Sequence, residues 1–231
     1  MSIRVLRGIH TGRRAWIVGN GKSLLQTDPC TLAKRGELTF AFNAVWRWPK
    51  FKPTYYCVED RLVAADQAKD FNAFQADCKI VAADLAHCLD ADVFVAFDRS
   101  HDDFPRFSHD SGRVVYWGGT VSYMAMQLAY YMGIRDLYCI GMEGYKEIPE
   151  TAERDGAVIT STQDDDPNHF DPAYFGKGKK WHDPCQERMK EAHARAREEF
   201  AAACGGIWNC SPDEEWGVFP RAEFDSVIAR D

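Results

Sequence analysis

The chain has 231 residues, 45% hydrophobic and 27% charged, a composition that suits one α/β domain with a full core and leaves little for a second. Its net charge of −7 argues against a nucleic-acid surface but permits a local basic pocket for an anionic substrate. No run of about 18 apolar residues occurs, residues 1–14 lack a signal peptide's apolar core, and the eight cysteines show no C-x-x-C. A cytoplasmic protein with no integral membrane segment and reduced core cysteines is expected.

Residues 1–14 are basic and read as a lead-in strand or arm. Residues 15–18 form an apolar run expected to be the first buried parallel strand. Gly19 and Gly21 then allow a tight turn that brings backbone close to a phosphate, with Asn20 at its tip. If Ser23 opens a helix, that helix's unpaired N–H groups face the same space. The turn is not a Walker A loop, because Trp16 stands where a glycine is required, nor a dinucleotide fingerprint, because Leu24 replaces the third glycine.

Residues 38–42 and 54–58 are the next strands, ending at Asn43 and at Glu59 and Asp60. In an open parallel sheet ligands lie beyond the carboxyl ends of the strands, so Asn20, Asn43, Glu59 and Asp60 converge on one rim. Each also suits a helix cap or turn. Trp46 and Trp48 belong to a loop expected to pack over the core, and their exposure would permit a homo-oligomer. A helix is predicted over 61–74, strands over 79–82 and 93–97, and a solvated loop over 98–113.

Residues 118–145 bear the second informative pattern. Thr120 or Ser122 caps a helix with a Met124, Leu128 and Tyr131 stripe, Gly133 ends it, and a strand over 137–140 returns to the rim at Gly141, Glu143 and Tyr145. Residues 146–180 are polar with little secondary-structure signal, as in a functional lid. The acidic triplet 164–166 is similar to a metal-binding D-x-D but does not follow a strand. His182 and Cys185 lack the second pair a zinc site needs. A charged helix is predicted over 184–203, capped by Asp183 with Pro184 in its opening turn, and a last strand over 207–209.

The order of G-N-G-K-S-L at 19–24, F-N at 42–43, the block 122–145, Y-F-G at 174–176 with His182 following, and N-C-S-P at 209–212 resembles the bacterial sialyltransferases of glycosyltransferase family 42. It is equally similar to the related domain of motility-associated flagellin glycosylation factors and archaeal 6-hydroxymethylpterin diphosphokinases. The likeness spans roughly residues 15 to 215. It implies a single Rossmann-like α/β domain, with a mostly parallel sheet flanked by helices and a lid-like insertion near 146–180.

The sialyltransferase likeness implies metal-independent, inverting transfer from a CMP-linked sugar to a glycan or small-molecule acceptor, in surface glycan or glycoconjugate synthesis, with no cofactor. By that likeness Asn20 and Gly21 contact the nucleotide and its phosphate, Asn43 the donor, Thr120 or Ser122 the nucleotide, and Tyr145 the leaving phosphate. His182 is the candidate general base, since a hydroxyl acceptor needs a base titrating near neutrality. Lys177, Lys179 and Lys180 could add charge beside the phosphate. The family's third-strand asparagine is replaced by Glu59 or Asp60, whose charge would repel an acidic sugar. That replacement also admits a neutral sugar or an ATP-dependent pyrophosphokinase with magnesium on these carboxylates. A nucleotide-binding module without catalysis is the third reading.

Overall fold

A computed structural model describes residues 1–144, 147–212 and 216–230. The strands in chain order are β1 (Arg14–Val18), β2 (Leu38–Phe42), β3 (Tyr55–Val58), β4 (Cys78–Ala82), β5 (Val93–Val95), β6 (Phe97–Asp98), β7 (Val115–Tyr116), β8 (Asp136–Ile140), β9 (Glu153–Asp155), β10 (Val158–Thr160), β11 (Lys180–His182) and β12 (Gly206–Asn209). The α-helices are α1 (Cys30–Lys34), α2 (Arg61–Ala73), α3 (Val121–Tyr131), α4 (Gln186–Ala202) and α5 (Phe224–Ile228).

Seven strands form one parallel sheet in the order β12-β8-β1-β2-β3-β4-β5, giving the single Rossmann-like α/β architecture expected. Both faces are covered, which is why these strands read as continuous apolar runs rather than alternating ones. One face packs Ile17, Phe40 and Cys139 against Met124, Leu128 and Phe200. The other packs Trp16, Val18 and Tyr56 against Val63, Phe71 and Val227. Between sheet and α4, α3 is buried almost all round, and Thr120 caps it.

From β1 the chain winds outward through β2 to β5, then crosses back over α3 to β8 on the other side of β1. The topological switch point therefore lies between β1 and β8, where open α/β sheets leave a crevice for ligands.

Several expectations are corrected. Residues 1–14, read as a lead-in strand or arm, contain a 3₁₀ turn over Ile3–Leu6 with Ile3 and Leu6 in the core, and Arg14 already belongs to β1. The turn after β1 leads into another 3₁₀ segment, Lys22–Leu25, too short to supply a helix dipole at Ser23. The strand predicted over 93–97 is two, since Phe97–Asp98 leaves the main sheet to pair with Val115–Tyr116. Asp183 does not cap α4: Cys185 holds that position, and Asp183 pairs with Arg154 at 2.6 Å.

The insertion is not structureless, because β9, β10 and β11 form an antiparallel meander. Its strands are three residues long, with Ile159 and Trp181 as their buried residues, so they show no period in sequence. A local aromatic core supports it, with Phe175 stacked on Trp181 at 4.8 Å and Tyr174 on His169 at 3.8 Å. The eight cysteines are free, but Cys185 and Cys204 are exposed rather than core residues. Trp46 and Trp48 pack against the core, as expected. Among the described residues, no helix is long and apolar enough to cross a membrane.

Candidate functional site

Two adjoining cavities occupy the carboxyl rim of the sheet. The first, about 130 Å³, sits at the switch point between the turns that leave β1 and β8, and Asn20, Asn43, Ser122 and Glu143 are among its walls. The second, about 440 Å³, lies beyond Thr120 and Tyr174 and holds Asp60, Arg188 and His182. Asn43, Thr120, Val121, His169, Tyr174 and Met189 border both.

At the switch point the two glycines answer to packing. A Cβ on Gly19 would overlap the Gly141 carbonyl, and one on Gly21 would overlap the Glu143 carboxylate. The N–H groups of Gly19 and Gly21 donate to the carbonyls of Ile140 and Gly141, at 2.8 and 2.9 Å. Lys22 donates to the Asn168 carbonyl at 3.1 Å, and the Ser23 N–H goes to Glu143 Oε1. The turn expected to cradle a phosphate thus spends these four donors within the protein, and Ser23 lines neither cavity.

Asn20 is buried, with Nδ2 donating to the Phe42 carbonyl at 3.0 Å and to Tyr174 Oη at 3.2 Å. Asn43 follows β2 at φ +50°, a left-handed conformation that asparagine tolerates better than most residues. Its carbonyl accepts from Tyr56 Oη at 2.6 Å. Ser122 Oγ lies 2.8 Å from Nε2 of His193, whose Nδ1 donates to the Met189 carbonyl at 2.6 Å. Burial pushes His193 down to about 4, so the ring is neutral and Nε2 accepts the Ser122 proton.

In the larger cavity Asp60 does two things. Its Oδ1 caps α2 through the N–H groups of Leu62 and Val63, at 2.8 and 3.0 Å, while Oδ2 accepts from His182 Nδ1 at 3.0 Å. The hydrogen bond to Asp60, opposed by partial burial, holds the His182 pKa above its ordinary value. Burial alone would raise the Asp60 carboxyl, but the bonds from His182 and the helix N–H groups hold it below its usual range. With Nδ1 fixed as donor, neutral His182 presents its Nε2 lone pair, the arrangement a general base requires.

Glu59 lies deeper. Burial pushes its carboxyl up to about 7 against the pull of Arg99, which bonds Oε2 at 2.7 Å. Arg99 and Arg61 also share Asp84, at 2.9 and 2.6 Å. Arg188 differs: among the described residues its contact is His101 Nδ1 at 3.0 Å, and the His101 ring stacks on Trp117 at 4.7 Å.

The rim therefore gathers Asn20, Asn43, Thr120, Ser122 and Glu143 at one cavity and Glu59, Asp60 and His182 at the next, while Tyr145 lies outside the described residues. The acidic triplet is structural. Asp164 accepts from the Lys177 N–H at 2.8 Å, Asp165 from Thr151 Oγ1 at 2.6 Å, and Asp166 from His169 Nδ1 at 2.7 Å. Among the described residues no group of three or more His, Cys, Asp or Glu side chains is placed to hold a metal. Lys179 pairs with Asp66 at 2.8 Å.

Sequence reading left His101 in a solvated loop and missed Arg188, Trp117 and Trp216. Arg188 belongs to a charged helix face and the others to loops, where nothing local marks them. Comparison with protein-family models, curated proteins and solved structures finds no match to this chain.

Proposed function

We propose that the protein is a glycosyltransferase that takes a nucleotide-activated sugar, CMP-linked by the sequence resemblance, and transfers the sugar with inversion and without a metal. The observation that carries this reading is the His182–Asp60 pair on the wall of a cavity that adjoins the switch-point crevice. In the proposed step, Nε2 of His182 takes the acceptor hydroxyl proton as the acceptor oxygen bonds the anomeric carbon. The bond from that carbon to the phosphate oxygen breaks on the opposite face, and its electron pair leaves with the nucleoside phosphate. Asp60 keeps the ring oriented and stabilises the imidazolium that forms.

Part of the charge that counted against an acidic sugar is offset here, since the Arg99 guanidinium bonds Glu59. That contact and the His182–Asp60 bond occupy the carboxylates to which a pyrophosphokinase would assign magnesium.

The test pairs binding with turnover. Replacing His182 with Ala is expected to reduce transfer from a CMP sugar by about 10²–10⁴-fold while leaving nucleotide affinity nearly unchanged. Melting curves with CMP, CDP, UDP, GDP and ATP, each with magnesium or chelator, are expected to show stabilisation by CMP in chelator. Stabilisation confined to ATP with magnesium, or undiminished transfer by the His182→Ala protein, would overturn the proposal.

A further inference from the structure

The polarity of the switch-point cavity decides which end of a ligand enters it. Asn20 Oδ1, Asn43 Oδ1 and Glu143 Oε2 are buried acceptor atoms with no hydrogen-bond partner among the described residues. Asn20 and Glu143 are only 6% and 5% exposed. The other half of each of these two side chains is committed, Asn20 Nδ2 to the Phe42 carbonyl and Glu143 Oε1 to the Ser23 N–H. The Asn20 amide therefore cannot flip to offer its donors without breaking that bond, and the Glu143 carboxylate has none to offer. Ser122 gives its proton to His193, so it too presents lone pairs. Among the buried side-chain atoms of the described residues lining this cavity, one donor, Trp216 Nε1, is unpartnered.

Among the described residues no lysine or arginine lines this cavity, whereas Glu143 does. A phosphate placed there would meet a buried carboxylate and a row of acceptors, with four N–H groups of the neighbouring turn already spent. A group carrying several hydrogens on oxygen or nitrogen would instead satisfy atoms that are costly to leave unpaired. In the adjoining cavity the balance reverses, because Arg188 lines it and lacks a carboxylate partner among the described residues.

We infer that the switch-point cavity is a nucleoside pocket filled by a hydrogen-bond donor face, a ribose diol or the exocyclic amine of a base, while the phosphates stay outside toward Thr120 and Arg188. This rests on the proposed nucleotide reading for the identity of the ligand. It reverses the placement that the glycine turn suggests in sequence, where the phosphate is innermost.

Calorimetric titration of the full chain in chelator tests it, using cytidine, adenosine, uridine, 2′-deoxycytidine, 3′-deoxycytidine, CMP and inorganic pyrophosphate. Cytidine or adenosine is expected to bind saturably, within about 30-fold of the affinity of its monophosphate, and pyrophosphate is expected not to displace it. A loss of about tenfold or more for the deoxynucleosides assigns the pocket to the diol, and the same loss for uridine assigns it to the amine. The variant Glu143→Gln keeps an oxygen for the Ser23 N–H and is expected to weaken the nucleoside at least tenfold.

Competitive displacement by pyrophosphate, or CMP binding with no nucleoside binding, would overturn the inference, as would undiminished nucleoside binding by Glu143→Gln. Should that variant misfold, the wild-type series decides alone. Nucleoside binding without turnover of any CMP sugar would sink the proposed function and leave the pocket standing. Turnover without nucleoside binding would do the reverse.

Discussion

The two cavities share one rim and six residues, yet they present opposite polarity. The smaller is enclosed by two turns locked to each other and offers acceptors around a buried carboxylate. The larger is walled by α2, the inserted meander and α4, and it offers a guanidinium and an imidazole held by a carboxylate. The difference teaches that one sheet edge can orient an elongated ligand by alternating polarity along the cleft, without a loop dedicated to phosphate.

Substitutions separate the two ends. After His182→Ala, the largest effect is expected from Gly19→Ala, because its Cβ meets backbone of the β8 turn rather than a side chain that can swing away. A cost of about 2–3 kcal/mol, read as a melting temperature lower by roughly 5–10 °C, is expected together with loss of nucleoside binding. Unchanged melting would show that the two turns are not locked.

Asp60→Asn should lower kcat by about ten- to a hundredfold, since the imidazolium loses its stabilising charge. The bond to Asp60 holds the His182 pKa up, and a base works only when neutral, so wild-type activity falls as pH drops through that raised value. Removing the carboxylate should therefore shift the acidic limb of the pH profile to lower pH, which a kcat/KM series would detect. A limb that stays in place would detach His182 from the reaction. The smallest effect is expected from Arg188→Ala, which should weaken CMP by about tenfold and leave cytidine unchanged. Equal weakening of both would erase the contrast between the cavities.

Much of the sheet was legible because strands covered on both faces leave near-continuous apolar runs, as at 15–18, 38–42 and 54–58, where Thr39 and Thr54 are the polar exceptions. The ends of those strands also marked the rim correctly as the place where Asn20, Asn43 and Asp60 gather. What the glycines do was not legible. Gly19 and Gly21 look like a phosphate loop, but the groups they make room for, Gly141 and the Glu143 carboxylate, lie about 120 residues away. The meander escaped notice for a different reason: three-residue strands fall below the length at which a period of two can be counted. Asp60 was read as either a cap or a site residue, and its two oxygens let it cap α2 and hold His182 at once.

The clamp between Glu143 and Ser23 also sets an order of events. β1 finds β2 nearby in the chain, but its other neighbour, β8, begins at Asp136 and is delivered only after α3 has crossed the sheet. Pairings so distant in sequence close late, because the loop entropy is spent before the contact forms. On the ribosome, an emerging chain can gather β1 to β5 while the crevice still has one wall. The switch-point crevice is thus among the last parts of the molecule to exist, and a ligand that needs both its walls can meet only chains in which β8 has paired with β1.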